Sequence, residues 1–181
     1  AHELKAPVYT HCSESLKEVN DCLKEHNLTP LSYLTKFKLF DYGGGVFHAV
    51  HFNKNDIKLA KNNNLFICTC PCSNLKLASG IAPIKEFYNA GIKVAIGTDG
   101  PASNNGLDMF REMYLVSTLS KYRENDAASI DAFDVLKMAT INSAHMLGLK
   151  NADILAKNKL ADIIMIDLHK PDMQPINNIV K

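Results

Sequence analysis

No apolar run in this sequence approaches membrane-spanning length, and residues 1–15 lack the basic start and apolar middle of a secretion signal. Charge of one sign is scarce too. The net charge is +1, with lysines and arginines scattered along the chain, which leaves no electrostatic footprint for nucleic acid or an anionic membrane surface. There are only five cysteines, an odd number for 181 residues. They do not form a disulfide framework, and a reducing cytoplasm is the expected compartment. No G-x-G-x-x-G follows a strand; Gly43-Gly44-Gly45 precedes one, so a Rossmann dinucleotide site has little support.

Two zinc-binding patterns are also missing. Cys68, Cys70 and Cys72 alternate where zinc knuckles space their thiols as C-x2-C, so buried thiols are the expected state. Cytidine-type zinc deaminases need H-x-E and P-C-x-x-C. Pro71-Cys72 is followed by Leu75 where the second cysteine belongs, and H-x-E does not occur.

What the chain does have is 46% apolar and 22% charged residues, enough for one sizeable core. Apolar runs alternate with helical patterns. The run from Pro7 ends at His11, and Ser15 with Glu18 has the form of a capping box opening a helix to about His26. A loop broken by Pro30 and Gly43–Gly45 leads to Val46–His51, and a helix starts at Asn53. Leu65–Thr69 fits a buried strand ended by Pro71, with a loop from Ser73 to Gly80 and a helix over Ala82–Asn89. Ile92–Gly97 is the most strand-like run and ends in Thr98-Asp99-Gly100. Two longer helices are predicted over Leu107–Glu124 and Ile130–Leu147. Met109, Met113, Val116 and Leu119 or Ser120 form the core stripe of the first, and Phe133, Leu136, Ala139 and Thr140 that of the second. Leu160–Asp167 reads as a strand of a different kind.

Four strand–helix units with nearly all-apolar strands predict an α/β fold whose parallel sheet is covered on both faces. An open doubly wound sheet and half of a (β/α)8 barrel both satisfy that pattern. Three strands end in residues suited to metal or proton chemistry: His11, His48 and Asp99. In a barrel such ends converge on the active site. A carboxylate buried after an apolar strand is costly unless it meets a cation.

Four blocks carry a resemblance: His11-Cys12-Ser13-Glu14, Phe47-His48-Ala49-Val50-His51, Pro71-Cys72-Ser73-Asn74-Leu75-Lys76-Leu77 and Gly97-Thr98-Asp99-Gly100-Pro101-Ala102-Ser103-Asn104-Asn105. In order and spacing they resemble successive motifs of the amidohydrolase superfamily. Within it they look most like the methylthioadenosine and S-adenosylhomocysteine deaminases, close to the triazine hydrolases. The similarity continues through Met138–Asn142 to the tail at Ala161–Asp167. It implies that residues 1–150 are strands 5–8 of a (β/α)8 TIM-type barrel, and that residues 151–181 begin a small C-terminal β segment. It also implies one divalent ion, zinc or ferrous iron, bound by His11 and Asp99, with Asp99 accepting a proton from the attacking water. Glu14 is then the proton donor to the ring nitrogen. His48 hydrogen-bonds the attacking oxygen or the leaving group, and Glu14 and His48 both touch the substrate. His51 is read as structural.

The implied reaction is hydrolytic deamination of a small nucleoside-like substrate. Another aminated or chlorinated N-heterocycle, such as a triazine or guanine, is the alternative, and an inert truncated scaffold is a third reading. The sequence departs from the family in three places. Thr69 and Cys70 stand where members often have histidine followed by asparagine or cysteine. Ala156 and Asn158 replace glycines. The H-x-H of the family's first strand has no counterpart, so association with the missing N-terminal half, or of copies with one another, is expected through open sheet edges at the His11 and Asp99 strands.

Overall fold

The apolar runs become four strands, β1 (Val8–Cys12), β2 (Gly44–His48), β3 (Phe66–Thr69) and β4 (Val94–Ile96). The computed structural model describes residues 1–177. Every pairing is parallel, and the spatial order β1-β2-β3-β4 follows the chain. A doubly wound sheet needs a point where that order reverses; none exists among the described residues, and each strand is added on the same side, as in barrel winding.

Side chains alternate between two faces, as the pleat requires. Val46, Ile67, Val94 and Ile96 join the large core beneath the helices, together with Leu31, Ile57, Phe87 and Val116. Phe47, Phe66, Cys68 and Ala95 face the other way and meet Met146. The glycines of β2 serve this layout. Gly44 has φ +128°, and a Cβ there would lie 1.8 Å from the carbonyl oxygen of Val8, its register partner on β1. Gly44→Ala should therefore break the β1–β2 pairing and cost at least about 3 kcal/mol. Chemical denaturation of the variant checks this; a loss under 1 kcal/mol, about the ordinary cost of an exposed change, contradicts it.

The helices are α1 (Leu16–His26), α2 (Pro30–Lys36), α3 (Lys54–Asn62), α4 (Pro71–Lys76), α5 (Ile84–Asn89), α6 (Pro101–Asn104), α7 (Met109–Glu124), α8 (Ala132–Lys137) and α9 (Ser143–Met146), with a π-helical turn over Met138–Asn142 between the last two. Ser15 caps α1 as expected, but Glu18 accepts from the amides of Ser13 and Glu14 at 2.8 Å each. The carboxylate thus braces the chain leaving β1 instead of closing a capping box.

Several expectations are corrected. The segments after Pro30 and after Pro71 are helices where loops were predicted, because each proline is the first residue of its helix, where a missing N–H costs nothing. Of the second predicted stripe, Ala139 packs against the core, but Phe133, Leu136 and Thr140 are exposed, and Val135 and Met138 are buried in their place. The stripe of α7 holds, with Val116 and Ser120 buried and Met109 and Met113 against the core. Leu160–Asp167 forms no strand among the described residues, and Ile163, Ile164 and Met165 are exposed. A strand exists only by pairing, and among the described residues this run joins no sheet; its Leu160 amide donates to the Asn151 carbonyl in a turn. Residues 178–181 of the predicted C-terminal β segment lie outside the described residues.

The outer edge of β4, expected to be open, is covered. Asn142 donates to the Val94 carbonyl at 2.8 Å, and the Ser143 hydroxyl meets the Ile96 amide at 3.4 Å. The π-helical turn places both residues there. In the turn where glycines were missing, Asn158 takes φ +68°, the left-handed conformation asparagine tolerates best after glycine. Asp153 ties this region together through His145 at 2.8 Å and Lys159 at 2.6 Å.

Candidate metal centre

All the predicted site residues sit at the C-terminal ends of the strands. His11 is in β1, His48 closes β2, and Asp99 follows β4. The exits of these strands are bent sharply. Ser13, His48, Ala49 and Asp99 have φ between +49° and +69°, a region that costs non-glycine residues roughly 1 kcal/mol or more each. Such strain persists only where surrounding bonds enforce it, and here two of the strained residues, His48 and Asp99, belong to the cluster.

The outcome is a compact donor set. One ligand atom from each of His11, His48 and Asp99 lies within 4.8 Å of the others. The two imidazoles stack at 5.2 Å between centroids, and Phe47 lies 5.4 Å from the His11 ring. His11 is exposed, His48 is buried and Asp99 is intermediate, so the cluster opens to solvent on one side. It lines a cleft of about 240 Å³ with Phe47, Cys68, Cys70 and Gly97. A hollow of about 360 Å³ beside Lys61, Phe66 and Lys93 lies at the opposite strand ends and gathers no comparable set.

Bonds from neighbouring helices fix His48 and Asp99. Nδ1 of His48 meets Oδ1 of Asn74 at 2.7 Å. With the amide oxygen accepting, Nδ1 donates, and Nε2 is the ring nitrogen left facing the cleft. That Nε2 is 3.7 Å from a carboxylate oxygen of Glu14, whose side chain is about a quarter exposed at the rim. Oδ2 of Asp99 accepts from the hydroxyls of Ser73 at 2.6 Å and Ser103 at 2.7 Å. Burial pushes the Asp99 carboxyl up, but those two hydroxyls, the Gly100 amide and the charge of His48 outweigh it and hold the group below the usual carboxylate range. Asp99 is therefore poised as an anion at neutral pH, the form a cation requires.

His51 is placed apart, its Nε2 bonded to the Ser79 carbonyl at 2.8 Å, a structural bond between two loops. The cysteines form no metal group with one another among the described residues. Burial raises the Cys12 thiol to about 12, and the Cys68 side chain and burial push Cys70 up as well. Of the three alternating cysteines, Cys68 and Cys70 are buried as expected and Cys72 is half-buried. Ser73, Asn74 and Ser103 belong to the blocks that carry the family resemblance, which by itself assigns them no role. Their signal was present in the polar residues directly after Pro71 and Pro101, at the starts of two short helices next to the strand ends.

Comparison with known proteins agrees with this layout. The amidohydrolase family model matches residues 1–181. The chain is 39% identical over 181 residues to the 5-methylthioadenosine/S-adenosylhomocysteine deaminase of Caldanaerobacter subterraneus subsp. tengcongensis, covering 99% of this chain and 42% of that protein. It is 42% identical over 177 residues to the 5'-deoxyadenosine deaminase of Methanosphaera stadtmanae, covering 98% and 41%. Among solved structures, an adenosine deaminase from Xanthomonas campestris with bound zinc superposes with a TM-score of 0.92 at 34% identity, over 99% of this chain and 41% of that one. The zinc complex of atrazine chlorohydrolase from Arthrobacter aurescens TC1 gives 0.88 at 25% identity, over 99% and 40%. The chain thus spans about two fifths of the length of the curated relatives it matches. With its family model matched along its whole length and its strand-end residues gathered at one cleft, the chain belongs to the amidohydrolase family.

Proposed function

We propose that this chain forms the part of a metal-dependent hydrolytic deaminase that holds strands 5–8 of a TIM-type barrel, within residues 1–150. Residues 151–181 belong to an accompanying β segment that needs partner strands from elsewhere, and the expected compartment is the cytoplasm. The observation that carries the reading is the convergence of His11, His48 and Asp99 within 4.8 Å, with the Glu14 carboxylate 3.7 Å from His48.

The donor set fits a divalent ion of the zinc type, or ferrous iron. An imidazole and a carboxylate held as an anion suit either metal, and Asp99 presents one oxygen while its other accepts both serine hydroxyls. His11 and Asp99 would hold the ion, and two such ligands fall short of the three or more that a catalytic zinc generally draws from protein. When bound, the ion supplies Lewis acidity that brings water toward ionisation at neutral pH.

The chain's own groups then divide the proton work. Asp99 takes a proton from the attacking water. Glu14, at the rim, gives a proton to the ring nitrogen of the heterocycle as water adds to the carbon bearing the amino group. His48, its tautomer fixed by Asn74, orients the attacking oxygen and the departing amine. The proton on Asp99 passes to the amine, the C–N bond breaks and ammonia leaves, while the added hydroxyl returns its proton to Glu14 as the carbonyl forms. His48→Ala should accordingly cut turnover by about 10²-fold or more, whereas His51→Ala should cost far less. Equal losses in steady-state kinetics would contradict this assignment.

The Caldanaerobacter relative favours an adenosine-type thioether, methylthioadenosine or S-adenosylhomocysteine, as substrate. The likeness to atrazine chlorohydrolase supports a second reading, displacement of chloride from a triazine at the same centre. Incubating the full-length gene product and zinc with methylthioadenosine, S-adenosylhomocysteine, guanine and atrazine separates them. Ammonia from the thioethers supports the first reading, and chloride from atrazine alone supports the second. No product from any of them argues for an inert scaffold.

A further inference from the structure

Three residues that fix the metal centre stand on two very short helices. Ser73 and Asn74 are in α4, six residues long, and Ser103 is in α6, with four. Neither helix has a side-chain cap at its N-terminus, and helices this short have no stability of their own. Something else must hold them.

Glu112, in the first turn of α7, is fully buried. Its Oε2 accepts from the backbone N–H of Cys72 at 3.0 Å, which replaces the missing cap of α4. Its Oε1 accepts from the side-chain amide of Asn104 at 2.8 Å, the last residue of α6. The same amide group donates to the carbonyl of Thr98 at 2.5 Å, directly before Asp99 with its φ of +59°. One carboxylate therefore joins the two helices to each other and to the strained turn that presents Asp99. A buried carboxylate serving only to fill space would be replaced at a gain by an apolar side chain.

We propose that Glu112 is a positioning residue for the metal centre: through Cys72 and Asn104 it sets α4 and α6 so that Ser73 and Ser103 fix Asp99 while Asn74 fixes His48. The inference rests on the reading of His11 and Asp99 as metal ligands. It has a specific requirement, two acceptor oxygens at one buried point. Glutamine has the same shape but only one acceptor, so Glu112→Gln leaves either Cys72 or Asn104 facing an N–H group.

The test uses the full-length gene product with zinc or cobalt(II). Metal affinity is read by chelator competition and ligand geometry by the visible spectrum of the cobalt form. Glu112→Gln should fold, bind zinc about 10-fold or more weakly, the scale of losing a bond to a metal-ligating group, and shift the cobalt bands. In turnover it should lower kcat and leave KM nearly unchanged. Zinc affinity and cobalt spectrum equal to those of the unsubstituted protein, with only a lower Tm, would overturn the proposal by showing a packing role. If Glu112→Gln does not fold, Asn104→Ala is read in the same way: weaker zinc binding supports the proposal and unchanged binding overturns it. Asp99→Asn, measured in parallel, distinguishes the two levels. Lost zinc there with unchanged Glu112→Gln defeats this inference alone, while retained zinc in Asp99→Asn defeats the metal reading and the inference with it.

Discussion

Replacing Asp99 by asparagine in the full-length gene product should lower zinc content and reduce turnover by about 10³-fold or more, while leaving the fold intact. The size follows from losing two functions at once. On the proposed reading the anionic ligand becomes a neutral amide, and the acceptor for the proton of the attacking water disappears; one positioned acid–base group alone contributes about 10²–10⁴-fold. The fold should survive because Asp99 is only partly buried, and an amide oxygen can still accept from the hydroxyls of Ser73 and Ser103, which now meet at Oδ2. Metal analysis, circular dichroism and initial rates on one preparation measure all three. Full zinc occupancy with unimpaired turnover would remove Asp99 from the centre.

Glu14→Gln should separate chemistry from metal binding. Glu14 lies at the rim, 3.7 Å from His48, and is outside the compact three-residue set. Its substitution should leave zinc content and Tm unchanged but lower kcat by about 10²–10⁴-fold, the loss of a general acid. The deficit should be largest for substrates whose ring nitrogen must be protonated before the leaving group departs. Steady-state kinetics with the best substrate, alongside metal analysis, checks it. A loss of zinc equal to that of Asp99→Asn would make Glu14 a ligand, and normal kcat would remove it from the proton path.

The strands and the strand-end residues were legible because both signals are local. His11, His48 and Asp99 each interrupt an apolar run at its end, and a parallel strand exposes its chemistry there. Helix boundaries at Pro30 and Pro71 misled because proline breaks a helix interior but starts a helix well. The stripe of α8 was misplaced because Phe133 and Leu136 repeat at helical spacing as regularly as the buried Val135 and Met138 do; periodicity finds a stripe without saying which one meets the sheet. The tail at Leu160–Asp167 has strand composition, but pairing is a property of the neighbour and not of the segment. Least legible were Asn74, Ser73, Ser103 and Glu112. Their roles depend on α4, α6 and α7 arriving beside particular strand ends, which no short stretch of sequence specifies.

In the proposed site His11 and Asp99 hold one divalent ion at the strand ends. A crystal structure of the full-length gene product with zinc, with anomalous data on both sides of the zinc edge, tests it most directly. One strong peak is expected about 2.0–2.2 Å from a His11 ring nitrogen and an Asp99 carboxylate oxygen, with the Ser73 and Ser103 hydroxyls still on the other oxygen. A zinc peak located elsewhere, or Asp99 turned away from it, would contradict the account.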